Sequence, residues 1–351
     1  MKIGNHEINE TSNTFIIAEI SANHNGSLNT AKDTIIAAKE AGADCVKLQT
    51  YTPETITIDH KSDLFKINQG TIWDGKYLFD LYKEAFTPWE WHEELFKLCS
   101  EVGLTFFSSP FDKSAVDFLE GLQVPAYKIA SLEITDIPLI EYVASKQKPI
   151  IMSTGIASLD DIQLAIDACR GVGNNDIALL KCTSVYPSDL TESNLKMIED
   201  LANRFNVICG LSDHTLGSIA PITSVAFGAK IIEKHFILDK SIGGPDASFS
   251  MDKNEFKNMV ESVRAAESCI GKIDYTLSDK QLKSREHSRS LFAVEDIEKG
   301  DKITSSNIRS IRPHHGIHPK HYNKILNSKT KKKISKGTPL DFSLLELQVD
   351  A

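Results

Sequence analysis

Eight short apolar runs, at 15–21, 45–50, 105–110, 126–131, 149–154, 177–184, 207–213 and 231–236, each close on polar or charged residues. Between them lie segments of helical period, at 31–42, 89–102, 114–121, 137–146, 159–170, 190–204 and 217–228. A run that is apolar at every position needs cover on both faces. Alternation with helices therefore predicts a parallel sheet, with helices over its outer side. Eight such units in roughly 240 residues predict a closed (β/α)8 TIM barrel rather than an open doubly wound sheet. Gly42, Gly103, Gly121 and Gly228 are expected to cap helix C-termini.

The second unit is interrupted by residues 53–88, which contain Trp73-Asp-Gly-Lys-Tyr-Leu-Phe-Asp-Leu-Tyr82. A long insertion at the C-terminal end of a barrel strand suits a substrate lid or wall, or a dimer contact. After the eighth run come Gly243-Gly-Pro-Asp246 and an amphipathic helix near 253–270. The expected organisation is a catalytic barrel over 1–270, a linker over 271–284 and a small β-rich domain over 285–351. The chain is net −9, but residues 285–351 hold 13 Lys and Arg against 8 Asp and Glu, so this tail is net +5 and the main body net −14. An acidic body argues against nucleic acid as a partner. The first residues lack the apolar core of a signal peptide, and no apolar stretch approaches the ~20 residues of a membrane span. A cytoplasmic protein without membrane attachment is expected. The six cysteines show no CxxC spacing and read as buried structural thiols.

In a barrel, side chains at the strand C-termini converge on one mouth. Here those positions include Glu19, Lys47, Ser109, Lys128, Ser131, Glu133, Ser153, Ser184, Ser212, His214 and His235. Each has a structural explanation taken alone: an ion pair for a lysine, a turn for Ser153-Thr-Gly155, a hydrogen-bonded histidine. Together they would bury too many unpaired charges, at several kcal/mol each, unless a ligand or metal answers them. Two lysines among hydroxyls suit a small phosphorylated, carboxylated anion. His214 and His235 end neighbouring strands, and two imidazoles beside acidic groups can hold a divalent metal with positions left for substrate. A Schiff base on a strand-end lysine is the rival chemistry.

Ile17-Ala-Glu-Ile-Ser-Ala-Asn-His-Asn-Gly26, Val46-Lys-Leu-Gln-Thr-Tyr51, Tyr127-Lys-Ile-Ala-Ser131, Ser153-Thr-Gly155, Gly210-Leu-Ser-Asp-His214 and Glu233-Lys-His-Phe236 together resemble the sialic acid synthase family. Arg309-Ser-Ile-Arg-Pro-His-His-Gly-Ile-His-Pro319 resembles that family's antifreeze-like SAF domain. Within the family, Gln49-Thr-Tyr-Thr-Pro-Glu54, Ile72-Trp-Asp74, Leu78-Phe-Asp-Leu-Tyr82 and Thr87-Pro-Trp-Glu-Trp-His92 are most similar to the pseudaminic acid synthases. The resemblance implies condensation of phosphoenolpyruvate (PEP) with 2,4-diacetamido-2,4,6-trideoxy-β-L-altrose and water, releasing phosphate by C–O cleavage. The alternative is an N-acetylneuraminate or legionaminate synthase acting on another N-acylated sugar. A sugar- or ice-binding protein is the reading from outside catalysis.

By the same resemblance His214 and His235 hold Mn2+, or else Mg2+ or Co2+, which polarises the sugar aldehyde. Lys47, Ser109, Lys128, Ser131, Ser153, Ser184 and Ser212 surround PEP. Glu133, Tyr186 and Asp246 line the sugar site. Arg312 reaches it from the partner in a domain-swapped homodimer, and Glu19 acts as base or cation stabiliser. Two positions depart from the family pattern: Ser184 stands where Asn is usual, and Arg312-Pro-His-His-Gly316 replaces Arg-Pro-Gly.

Overall fold

The computed structural model describes residues 1–347, so 348–351, the end of the expected 285–351 domain, lie outside the described residues. The chain forms two compact units, one over Met1–Gly271 and one beginning at Lys272.

The first unit is the expected closed barrel of eight parallel strands. They are β1 (Phe15–Glu19), β2 (Cys45–Thr50), β3 (Thr105–Pro110), β4 (Tyr127–Ile129), β5 (Ile150–Ser153), β6 (Ile177–Cys182), β7 (Ile208–Asp213) and β8 (Ile231–His235). β8 pairs with β1 to close the ring. The helices that follow the strands are α1 (Leu28–Glu40), α2 (His92–Val102), α3 (Lys113–Gly121), α4 (Ile137–Ala144), α5 (Leu159–Gly171), α6 (Met197–Phe205), α7 (Ile219–Ala226) and α8 (Lys253–Ile270).

Local chemistry explains these boundaries. The Ser27 hydroxyl accepts the Thr30 N–H at 3.2 Å and starts α1. Reciprocal capping boxes start α5 at Ser158 and Asp161, and α8 at Asp252 and Glu255. Gly42, Gly103 and Gly228 take positive φ just past their helices, as expected. Gly121 does not: it lies inside α3, which Leu122 ends in ordinary right-handed geometry. Gly210 of β7 has a different reason. A β-carbon there would stand 2.1 Å from the Ile231 carbonyl oxygen of β8, so only glycine allows these two strands to meet.

Several boundaries differ from the sequence reading. The helix expected over 190–204 begins only at Met197, after a separate 3-10 turn at Leu190–Glu192. The stretch read as a linker carries a helix at Asp279–Arg285, started by a capping box between Ser278 and Gln281. An N-terminal hairpin, Lys2–Ile3 with His6–Glu7, buries Ile3 and Ile8 at the N-terminal end of the barrel, where Gly4 meets Thr105. Five cysteines are buried thiols, but Cys269 is exposed, because it lies on the outer side of α8.

Register fixes the mouth. His235 lies beside Glu19, Glu19 beside Lys47, and Gln49 beside Ser109. Glu233 lies beside Ser212. The 53–88 insertion leaves β2 at this end and contains helices at Pro53–Ile56 and Leu78–Ala85. The second unit pairs Ser290–Ala293 with Ile308–Ile311, and Lys329–Thr330 with Leu345–Glu346. Its core includes Leu291, Ile303, Ile308, Ile325 and Leu340. Among the described residues no helix is long and apolar enough to cross a membrane.

Candidate active site

Period-two alternation points Glu19, Lys47, Lys128, Ser212, Glu233 and His235 into the barrel. At the centre, Lys47 Nζ lies 3.0 Å from Glu19 Oε2, 3.3 Å from Glu233 Oε1 and 3.4 Å from the Ser109 hydroxyl. Lys128 Nζ lies 3.5 Å from the same Glu233 oxygen, to which the Ser212 hydroxyl donates at 3.2 Å. Gln49 donates to Glu19 Oε1 at 3.1 Å. All four charged side chains are buried.

Their titration follows from that crowding. Burial pushes Glu19 up to about 7, against the pull of Lys47 and with the push of Glu233. Burial also works against charge on Glu233, but Lys128 and Lys47 outweigh it and hold its carboxyl down. Lys47 is desolvated yet held above the usual ammonium range by Glu19 and Glu233. On Lys128 desolvation wins and lowers the pKa. Lys128 is thus a buried ammonium with a single carboxylate oxygen against it, poorly compensated and open to a second anion.

Around these charges stand hydroxyls with unused capacity. The Ser153 Oγ is buried without a hydrogen-bond partner. Ser131 Oγ accepts the Gly155 N–H at 3.1 Å. A β-carbon on Gly155 would stand 2.0 and 2.8 Å from the Ser184 and Ser131 hydroxyls, so any side chain here would displace both hydroxyls. Ser109, Ser153 and Ser212 lie on β3, β5 and β7, and Ser131 and Ser184 follow β4 and β6, at the same end of the barrel as the two lysines.

One layer outward, the His214 and His235 rings lie 5.4 Å apart. His214 Nδ1 lies 3.0 Å from the Thr183 carbonyl, which can only accept, so this nitrogen carries a proton; the neighbouring Cys182 holds the imidazole above its usual range despite burial. Burial pushes His235 well below the usual imidazole range, and its Nδ1 has no hydrogen-bond partner. Asp246 Oδ2 stands 3.8 Å from that nitrogen. Among the described residues no group of three or more His, Cys, Asp or Glu forms a metal cage. The chain instead offers two neighbouring imidazoles, one with a partnerless ring nitrogen and a carboxylate behind it. That donor set fits a divalent ion with positions open to substrate and water.

The sugar-site residues named from sequence separate into two groups. Tyr186 lies 4.3 Å from the His214 ring and 6.2 Å from the His235 ring, between centroids. Glu133 Oε2 is buried without a partner, and burial pushes this carboxyl up to about 7. Glu133, Tyr186 and Asp246 all belong to the barrel mouth. Arg312 belongs to the second unit, where it is exposed at the end of the Ile308–Ile311 strand. The loop after it is held by Ser290 Oγ, which donates to the Pro313 carbonyl at 2.7 Å and accepts the His315 and Gly316 N–H groups at 3.2 and 2.9 Å.

Sequence reasoning left out several members of this site. Glu233 and Gln49 were visible, since they share strand parity with His235 and Lys47. Cys182, whose Sγ lies 3.7 Å from His214 Nδ1, and Phe249, 5.0 Å from the His235 ring between centroids, carried no signal of their own.

Comparison with known proteins agrees with this architecture. The NeuB family model matches residues 34–275, and the SAF domain model matches residues 288–346. A pseudaminic acid synthase of Helicobacter pylori is 50% identical over 332 residues, covering 94% of this chain and 97% of that protein. An N,N'-diacetyllegionaminic acid synthase of Legionella pneumophila is 38% identical, covering 95% of this chain and 94% of that protein. The crystal structure of an N-acetylneuraminic acid (sialic acid) synthetase from Leptospira borgpetersenii, in complex with citrate, superposes with a TM-score of 0.73. It is 29% identical and covers 81% of this chain and 94% of that one.

Proposed function

We propose a function from a fact of descent: this chain belongs to the NeuB family, and it acts as a pseudaminic acid synthase. It condenses PEP with 2,4-diacetamido-2,4,6-trideoxy-β-L-altrose and water, giving pseudaminate and phosphate. The identity to pseudaminic acid synthases, higher than to the legionaminic acid synthase, supports this sugar over the alternative. The observation that carries the anion is Lys128, buried with one carboxylate oxygen against it, with the partnerless Ser153 hydroxyl on the neighbouring strand.

In this reading Lys47 and Lys128 bind the charges of PEP, while Ser109, Ser131, Ser153, Ser184 and Ser212 orient it. The cavity excludes water from all but the reacting positions. His214 and His235 would hold the divalent ion, Mn2+ before Mg2+ or Co2+, and when bound it supplies Lewis-acid polarisation of the sugar carbonyl. C3 of PEP forms the new bond to that carbonyl carbon, whose oxygen becomes a hydroxyl by taking a proton. The cationic centre left at C2 lies over the Glu19 and Glu233 carboxylates. Water adds at C2 and gives a proton to Glu19, whose pKa near neutrality suits both taking and returning it. Breaking the C2–O bond then expels inorganic phosphate and leaves the C2 carbonyl. Glu133, Tyr186 and Asp246 hold the sugar, and Arg312 joins them from a second copy in a domain-swapped homodimer.

Phosphate release by purified protein with PEP, a divalent ion and a panel of N-acylated sugars tests this. The expected result is turnover of the diacetamido-trideoxy altrose well above N-acetylmannosamine. Preference for N-acetylmannosamine or for the legionaminate precursor would overturn the sugar assignment.

A further inference from the structure

The 53–88 insertion contributes a side chain that the mechanism above does not use. Residues 66–77 form a tight hairpin-like turn, in which Lys66 bridges Tyr77 and the Gly75 N–H donates to the Ile67 carbonyl at 2.9 Å. The Asp74 carboxylate fixes its tip by accepting the N–H groups of Gln69, Gly70 and Thr71 at 3.1, 2.9 and 3.0 Å. From this turn Trp73 projects over the barrel mouth. Its indole N–H donates to the Pro245 carbonyl at 3.1 Å, one residue before Asp246. Its ring lies 5.5 Å from Tyr186 and 6.3 Å from Phe249, between centroids. Those two rings in turn pack on His214 and His235, at 4.3 and 5.0 Å.

The indole is a poor choice for a residue meant only to tie a loop down. Its one polar atom is consumed by Pro245, so the rest of the indole surface is apolar; the Tyr186 ring lies against it, and the buried Phe249 backs both. An indole face of this kind accepts a methyl group and offers nothing to a hydroxyl, which would lose its hydration against it without a partner. We infer that Trp73 is a specificity-determining residue: with the ring of Tyr186, and backed by the buried Phe249, it forms the apolar wall that receives the deoxygenated, methyl-terminated end of the sugar while the carbonyl end lies at the histidines. This rests on the proposed function and extends it by naming what reads the 6-deoxy position.

The test uses two sugars that differ only at C6: 2,4-diacetamido-2,4,6-trideoxy-L-altrose and its 6-hydroxy counterpart. Apolar pockets reject an added hydroxyl by roughly 10²-fold, and the wild-type kcat/KM ratio should be of that order. Trp73→Ala should collapse the ratio to within about tenfold of unity, mainly by slowing the deoxy sugar. Trp73→Phe, which keeps an apolar ring but loses the N–H, should retain most of the preference. Calorimetric PEP affinity, set at Lys47 and Lys128, should be unchanged in both variants and reports that the barrel is intact.

A Trp73→Ala enzyme that binds PEP normally and keeps the wild-type ratio overturns the inference, as does equal loss of activity on both sugars. If PEP affinity falls in the Ala variant, the Phe variant decides: a ratio collapsed in an intact Trp73→Phe protein also overturns it. Wild-type protein that does not prefer the deoxy sugar counts against the proposed function and removes the inference with it. That outcome is visible before any variant is made.

Discussion

Two buried charge clusters lie on opposite faces of the same pair of strands. On the inner face of β7 and β8, Ser212 and Glu233 meet Lys47 and Lys128. One residue along each strand, on the outer face, Lys234 Nζ donates to Asp213 Oδ2 and to the Thr215 carbonyl. Asp213 also accepts the Thr215 N–H and hydroxyl, both at 3.1 Å. Both clusters are equally hidden from solvent. The outer one is closed, with its carboxylate partnered on every side. The inner one is open, with a lysine against one carboxylate oxygen and a hydroxyl against nothing. Burial of charge is thus no mark of a site by itself; unanswered hydrogen-bonding capacity around it is.

The contrast yields variants whose effects should fall on different observables. The largest concerns the open layer at its outermost point. His235→Ala should lower the rate of phosphate release on the order of 10³-fold, through loss of several kcal/mol of carbonyl polarisation. Complete chelation of the wild type should do the same, and a His235→Ala protein at full rate would remove the metal role. Next, Lys128→Met should cost about 10²- to 10³-fold in kcat/KM for PEP. Its melting temperature should hold or rise, since the ammonium it removes is poorly compensated.

The outer cluster should respond the other way. Lys234→Met leaves Asp213 buried without its cation and should destabilise the fold by about 3–5 kcal/mol in urea titration, with near-normal turnover while folded. A Lys234→Met protein that is stable but inactive would erase the distinction. The smallest effect is on pH dependence. Folded Glu19 titrates at about 7 against an ordinary 4.5, so the native state holds a proton that the unfolded chain has lost between those values. Its contribution to stability is present below pH 4.5 and falls as pH rises through 7, by about 3 kcal/mol. Glu19→Gln lacks this loss, so its stability relative to wild type should improve from pH 4.5 to 8. Parallel stability curves for the two proteins would contradict the shift.

Much of this was legible before the structure. Apolar runs alternating with helical segments specify the barrel because both faces of every strand are buried. The mouth residues follow because the fold sends strand C-termini to one end. What escaped is equally physical. Gly121 resembles a helix cap in sequence, yet it is the last helical residue of α3, because glycine permits a left-handed turn without demanding one. The partnership of Cys182 with His214 depends on the register of β6 against β7, which sets Cys182 beside Ser212 and which neither strand's own sequence encodes. Trp73 stands in a recognisable motif, Ile72-Trp-Asp74, but its role is unreadable until the turn that Asp74 holds carries it to Pro245. Glu233 and Gln49 are readable from parity alone: each stands two residues from His235 or Lys47 and must face the same way.

The central claim is that the open inner cluster, and not the closed outer one, receives PEP. Titrating PEP calorimetrically into wild type, Lys128→Met and Lys234→Met, with the divalent ion present, tests it most directly. The account predicts one PEP per chain for wild type and for folded Lys234→Met at similar affinity, and at least about tenfold weaker binding for Lys128→Met. Undiminished affinity in Lys128→Met, or a loss confined to Lys234→Met, would contradict it.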